Sequence, residues 1–289
     1  MELDSYLKTS LAPSTAERYK REIDLFFLSL EKQNIDPKTA SYNQVMDYIG
    51  KRRKHYKNPS ALSCVLHSIK HYYKYLILIK QRKDNPAKAI RLRDKQSRDI
   101  QLQDLFTPEE LELLLERKER YTILKNRNKV IVSLLIYQGL TNGNLKDLEL
   151  KDLDLEKGTV YIKLTHKTNA RTLKLKSNQL YWMMQYLSID RPKMIKERTD
   201  KLIISKLGTA ETGEGIHYIT ETFRHLFKGR KLNPLTIRQS VIANLLKSGH
   251  DLLIVQAFAG HKYPSTTENY RQTEVEELKN KILKHHPLG

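Results

Sequence analysis

Residues 232–272 read LNPLTIRQSVIANLLKSGHDLLIVQAFAGHKYPSTTENYRQ, and the reading of this stretch decides the rest. Pro234 stands where a helix starts, because its fixed φ suits the first turn and its missing N–H is not needed there. Arg238 follows within the same helix, His261 comes directly after Gly260, and Tyr270 closes the stretch nine residues after His261. Each residue alone has an ordinary explanation. Tyr270 is one of 16 tyrosines, and a single tyrosine usually packs in a core. An arginine on a basic chain is usually solvated or positions a phosphate, and a lone histidine is usually structural. The order and spacing of guanidinium, imidazole and phenol ask for a common account.

The charge balance supplies the partner's sign. The 289 residues carry 52 Lys and Arg against 33 Asp and Glu, a formal net charge of +19. A surplus that large repels itself in the folded state, so a polyanion is expected to meet it. The excess is densest over residues 1–98, with 21 basic and 10 acidic side chains. Cys64 is the only cysteine, which excludes an intrachain disulfide and a zinc site of several thiolates. No apolar run reaches about 18 residues, and the acidic start lacks the layout of a signal peptide, so no membrane partner and a cytoplasmic location are expected.

Upstream, the chain reads as two domains. Ser14 and Glu17 have capping-box spacing, and Tyr19, Ile23, Phe26, Phe27 and Leu30 then mark one apolar helix face. Further helices are expected over 42–53 and about 60–80, with Asn85-Pro86 as a stop. Residues 91–104 are charged and aperiodic, as in a linker. Thr107-Pro108-Glu109-Glu110 then opens a helix with a cap, a proline and an acidic first turn. Asn128–Tyr137 is an apolar helix ending at Gly139. Thr159–Lys163 and Thr172–Leu175 read as strands joined by a turn over His166–Ala170, and the remainder is helical. The expectation is a mainly α fold with a small antiparallel sheet, divided into residues 1–90, a linker over 91–104, and an α+β domain over 105–289.

With these segments in place, the chain resembles the tyrosine recombinase (phage integrase) family, especially its compact Xer-type members. PSTAERYKREIDLFFLSL, ALSCVLHSIKHYYKYLI and NPA are similar to the helical, SAM-like core-binding domain. LFTPEELELLL and YQGLTNGNLKDLELKDLDLEKGTVYI are similar to the opening and first box of the catalytic domain, and residues 232–272 to the second box. Four such matches in order cover nearly the whole chain. The resemblance implies attack of a tyrosine on a DNA phosphate, a 3′-phosphotyrosyl link and a free 5′-hydroxyl, without metal or nucleotide cofactor. Tyr270 matches the nucleophile, Arg238 the second catalytic arginine, and His261 the late histidine on the scissile phosphate. Lys167 matches the lysine that protonates the 5′-oxygen, with His166 and Lys163 as rivals.

Two positions depart from the pattern. Thr141 follows Gly139-Leu140 where the family has its first arginine, and Leu235 stands where it has a histidine; Gln239 also follows Arg238 in place of the usual histidine or lysine. A neutral hydroxyl does not replace a bidentate cation. Arg224, Arg230 and Lys231 are the candidates to fill in. Two functions therefore stand: an active site-specific recombinase or integrase, and a catalytically impaired relative that binds DNA sequence-specifically. An RNA-binding or membrane-surface protein would use the charge but leaves the ordered motifs unexplained. Phosphate contacts on double-stranded DNA are expected from Lys51, Arg52, Arg53, Lys54, Lys57, Lys70, Lys74 and Arg91. The family clamps DNA between its domains, and Val275, Leu278, Ile282 and Leu283 share a face of an expected tail helix. By the resemblance this tail docks on a neighbouring subunit to build a homotetramer on paired sites; packing on its own domain is the alternative.

Overall fold

The computed structural model describes residues 2–56, 58–94 and 105–271. Contacts divide the chain into two units, Met1–Arg98 and Asp99–Gly289, each with its own apolar core. The first unit consists of α1 (Leu3–Ser10), α2 (Pro13–Glu31), α3 (Tyr42–His55) and α4 (Pro59–Leu78). The apolar face expected on α2 is buried at Ile23, Phe26 and Leu30, and it packs on α4 through residues such as Ile69, Tyr72 and Tyr73. Aromatic rings join the helices: Phe26 meets Tyr48 of α3 at 5.0 Å between centroids, and Phe27 meets Tyr72 at 4.8 Å. Burying a side chain of this size contributes about 2–3 kcal/mol.

Local details differ from the sequence expectation for identifiable reasons. α2 begins at Pro13, and Ala12 occupies the N-cap without a side-chain hydrogen bond, so Ser14 does not cap it. Proline at the first position removes one orphan N–H and presets φ, which makes a side-chain cap less necessary. α3 carries the capping box instead: Ser41 accepts from the Gln44 amide, and Gln44 accepts from the Ser41 amide. α1 buries only Leu7, too little to impose a visible period.

In the second unit, Thr107 and Glu110 cap α5 (Pro108–Glu112) reciprocally, as the sequence predicts. α6 (Lys125–Gln138) is buried on almost every face from Val130 to Ile136 and runs through the middle of the core. It ends at Gly139, whose φ of 57° lies in the left-handed region that glycine adopts without strain. α7 (Asn142–Asp147) follows immediately. A three-stranded antiparallel sheet comes next, in the order β1 (Leu153–Asp154), β2 (Thr159–Ile162), β3 (Arg171–Lys174). Its register pairs Val160 with Leu173 and Ile162 with Arg171. Val160, Ile162 and Leu173 face the core. β3 thus begins at Arg171, one residue before the expected strand, and β1 is an additional strand of two residues.

The unit continues through α8 (Ser177–Gln185), α9 (Arg191–Met194), α10 (Glu214–Thr222), α11 (Pro234–Lys247) and α12 (Leu252–Ala259), and residues 264–271 are helical. A buried ion pair, Arg127 to Glu211 at 2.7 Å, is completed by the Asn128 side chain and the Ile204 carbonyl. Most of the expected linker (95–104) and the expected tail helix (from 272) lie outside the described residues. No described helix is long and apolar enough to cross a membrane.

Candidate active site

Arg238 lies one turn into α11, whose start is fixed by Pro234 and by Asn233, which accepts from the Leu235 and Thr236 amides. The residue is 5% exposed. Nη1 donates to the Gly139 carbonyl at 2.6 Å, and Nη2 to the Ala259 carbonyl at 2.7 Å. These carbonyls belong to the C-terminal ends of α6 and α12, where unpaired C=O groups concentrate partial negative charge. The backbone thus supplies the counter-charge. Two of the five guanidinium N–H groups are engaged, which leaves three for an incoming anion.

Gly260, at φ 70°, ends α12 and delivers His261 into the same region. His261 Nδ1 lies 2.9 Å from the Thr267 hydroxyl, which belongs to the helical segment that carries Tyr270. The His261 and Tyr270 rings are nearly parallel, 15° apart in plane and 6.1 Å between centroids. Burial first, then the charges of Arg238 and Arg171, hold the His261 pKa down at about 4. At neutral pH this imidazole is therefore uncharged. Burial raises the Tyr270 pKa, and Arg238 opposes that rise. The charge of Arg238 therefore reaches both rings.

The β2–β3 turn is fastened to this centre. Thr168 forms an antiparallel bridge with His261, and the Asn169 amide donates to the Gly260 carbonyl at 2.8 Å. Lys167, adjacent to that bridge, is exposed, and its ammonium has no ion pair among the described residues. Lys163 is different. Its ammonium binds Glu149 at 2.6 Å and Asp152 at 3.4 Å, and Glu149, held at about 2 chiefly by Lys163, with Lys151 and Lys201 also bound, is firmly anionic. This rival to Lys167 is occupied, whereas His166 is exposed beside it.

The departures also acquire local explanations. Thr141 is the N-cap of α7: its hydroxyl accepts from the Asn144 amide at 3.1 Å and donates to the Asn144 side chain at 2.8 Å. Leu235 is 61% exposed at the start of α11. Two of the three expected substitutes for the missing arginine are held in ion pairs of their own. Arg224 pairs with Glu221 at 2.8 Å, and Arg230 pairs with Glu110 between the rings of Phe106 and Phe227. Lys231 is exposed. A further cation, Arg171 at the start of β3, lies close enough to Arg238 and His261 for its charge to act on both. The sequence signal for it is a charged residue at an inward strand position, hidden when the strand is started at Thr172.

The phosphate-contact candidates of the first unit divide similarly. Lys51, Lys54, Lys74 and Arg91 are exposed. Arg52 is bound to Glu22 and Tyr56, and Lys70 donates to the Ile90 carbonyl at 2.7 Å, so both hold the fold together. Arg53 is bidentate on Asp94. Lys57 lies outside the described residues.

Comparison with known proteins identifies the family and the fold. Residues 104–277 match the phage integrase family, and residues 2–80 match the phage integrase N-terminal SAM-like domain. The chain is 25% identical to tyrosine recombinase XerD of Proteus mirabilis over 300 residues, covering 99% of this chain and 92% of the relative. It is 27% identical to XerD of Oceanobacillus iheyensis, covering 97% and 95%. In fold it is similar to XerH site-specific recombinase bound to difH substrate, with a TM-score of 0.67, 20% identity, and coverage of 89% and 75%. It is likewise similar to the Tn1549 transposon integrase in complex with a circular intermediate DNA, at TM-score 0.66, 15% identity, and coverage of 96% and 99%. The two-unit helical architecture, the small sheet and the paired family matches establish that the chain belongs to the phage integrase family, the tyrosine recombinases.

Proposed function

We propose that this recombinase cuts and rejoins double-stranded DNA at specific sites, with Tyr270 as nucleophile. The observation that carries the reading is the convergence of Arg238, His261 and Tyr270 on one buried centre, with Lys167 on a turn bound to the same backbone. As the bond from Tyr270 Oη to phosphorus forms, the bond from phosphorus to the 5′-oxygen breaks. The phenol proton leaves to water, and Lys167 supplies one to the 5′-oxygen. Arg238 holds the non-bridging oxygens, and neutral His261 donates a hydrogen bond to one of them. Reversal of these steps on a new 5′-hydroxyl rejoins the strand. The exposed cations Lys51, Lys54, Lys74 and Arg91 contact phosphates, and Arg53 joins them by exchanging Asp94 for DNA. Incubation with a nicked duplex, from which the 5′-hydroxyl fragment diffuses away, is expected to trap a covalent adduct that survives denaturing electrophoresis and is absent for Tyr270→Phe. No adduct on any bound duplex would overturn the reading.

A second reading, a DNA-binding relative that does not cut, is favoured by Thr141 serving as a helix cap and Leu235 carrying no polar group. The same trapping experiment separates the two. We also propose assembly as a homotetramer on paired sites through residues 272–289. Sedimentation of the DNA complex should show four protomers, and deletion of 272–289 should leave smaller species; unchanged sedimentation after the deletion would exclude the tail as the connector.

A further inference from the structure

Among the described residues, three arginines are less than 10% exposed: Arg127, Arg171 and Arg238. Arg127 has Glu211 as its counter-ion, and Arg238 has two helix-terminal carbonyls. Arg171 has neither. Its Nη1 reaches the Asn169 carbonyl at a long 3.4 Å, while Nε and Nη2 have no hydrogen-bond partner. An isolated buried guanidinium is costly, because water that solvated it is gone and nothing in the protein replaces that solvation. Burial, with Arg238 adding to it, brings the Arg171 pKa down to about 10. It stays protonated at neutral pH, so the charge is retained without a partner.

The surrounding structure nevertheless maintains it. Arg171 sits on β3 opposite Ile162, in a regular antiparallel register. Gly260 leaves room for it: a Cβ at that position would collide with Arg171 Nη1, and would lie 3.0 Å from Cζ and from the Asn169 carbonyl. Glycine at 260 thus serves two ends, the left-handed close of α12 and the passage of the guanidinium.

We infer that Arg171 is the second phosphate-binding cation of the active site, taking the place of the arginine that position 141 lacks; this rests on the site proposed above. Two guanidiniums without a carboxylate form a doubly positive, poorly hydrated centre. A phosphodiester brings one negative charge, and the pentacovalent transition state brings two across its non-bridging oxygens. The charges match most closely at the transition state, where stabilisation accelerates cutting. The free Nε–H and Nη2–H of Arg171 have the fork geometry that suits such oxygens.

The test uses the full-length protein and a duplex selected from random sequence for tight binding. Single phosphates are replaced in turn by neutral methylphosphonates, and binding is measured with Tyr270→Phe alone and with Tyr270→Phe combined with Arg171→Ala. At one phosphate per bound half-site the replacement should weaken the first protein about tenfold more than the second, in which Arg238 and His261 still hold that phosphate. If every methylphosphonate effect persists at full size in the Arg171→Ala protein, the inference fails. In protein with Tyr270 intact, Arg171→Ala should slow adduct formation on ordinary DNA by about 10²-fold. A methylphosphonate effect that shrinks in the Arg171→Ala protein, with no adduct from the unmodified protein, would sustain Arg171 as a phosphate ligand and refute cutting. Should Arg171→Ala fail to fold by its thermal melt, Arg171→Lys keeps the charge on a shorter, unforked chain. It should shrink the methylphosphonate effect at that phosphate, and an undiminished effect overturns the inference.

Discussion

His261 shows how the environment of a single residue sets its chemistry. Its folded pKa of about 4 lies below the ordinary value of 6.5, so the unfolded chain binds the additional proton between those pH values. Its contribution to stability is therefore complete above about pH 6.5 and is lost as pH falls toward 4, at up to about 1.4 kcal/mol per pH unit. Urea unfolding of the DNA-free protein at pH 7 and pH 5 should show a smaller acid loss for His261→Gln than for the unmodified chain. Equal losses would mean that this imidazole is not held neutral. The residues of the centre were unequally legible in sequence. Arg238, His261 and Tyr270 stand in one short stretch whose spacing survives as proximity, because α11, α12 and the 264–271 segment are consecutive. Arg171 reaches them only through the fold of the sheet and the absence of a side chain at Gly260, neither of which a linear pattern displays.

At the scale of elements, legibility followed the size of the apolar signal. The faces of α2, α3, α4 and α6 bury enough side chains to impose a period, and the sequence locates them within a few residues. α1, with Leu7 as its one buried residue, and β1, with two residues, carry no such period. The ends were least legible where alternatives compete: Pro13 displaces Ser14 at the start of α2, and β3 takes in a charged residue that looks like part of a turn. Thr141 reads in sequence as a lost cation. In the fold it is also a gained cap, since α7 begins one residue after α6 has closed on Gly139–Leu140 and needs an acceptor at that point.

For the whole molecule, the net charge of +19 is the property that any DNA encounter must express. The exposed cations Lys51, Lys54, Lys74 and Arg91 alone would release enough counterions to give a slope of about −3.6 in log affinity against log salt. Titrations between low and physiological salt should therefore show at least that steepness, and a flat response would argue against a phosphate-led interface. Replacing these four together should flatten the slope across all DNA sequences without changing which sequence binds best, because phosphate contacts carry no base information.

The grip of Arg238 on the Gly139 and Ala259 carbonyls has a practical corollary for anyone handling this enzyme. Removing that side chain would leave two buried carbonyls without donors and unfasten α6 from α12, so the damaged protein should express poorly and melt early. An inactive preparation made at that position would confound a chemical defect with a folding one. Tyr270→Phe deletes a single oxygen and is the cleaner reference for every measurement of cutting.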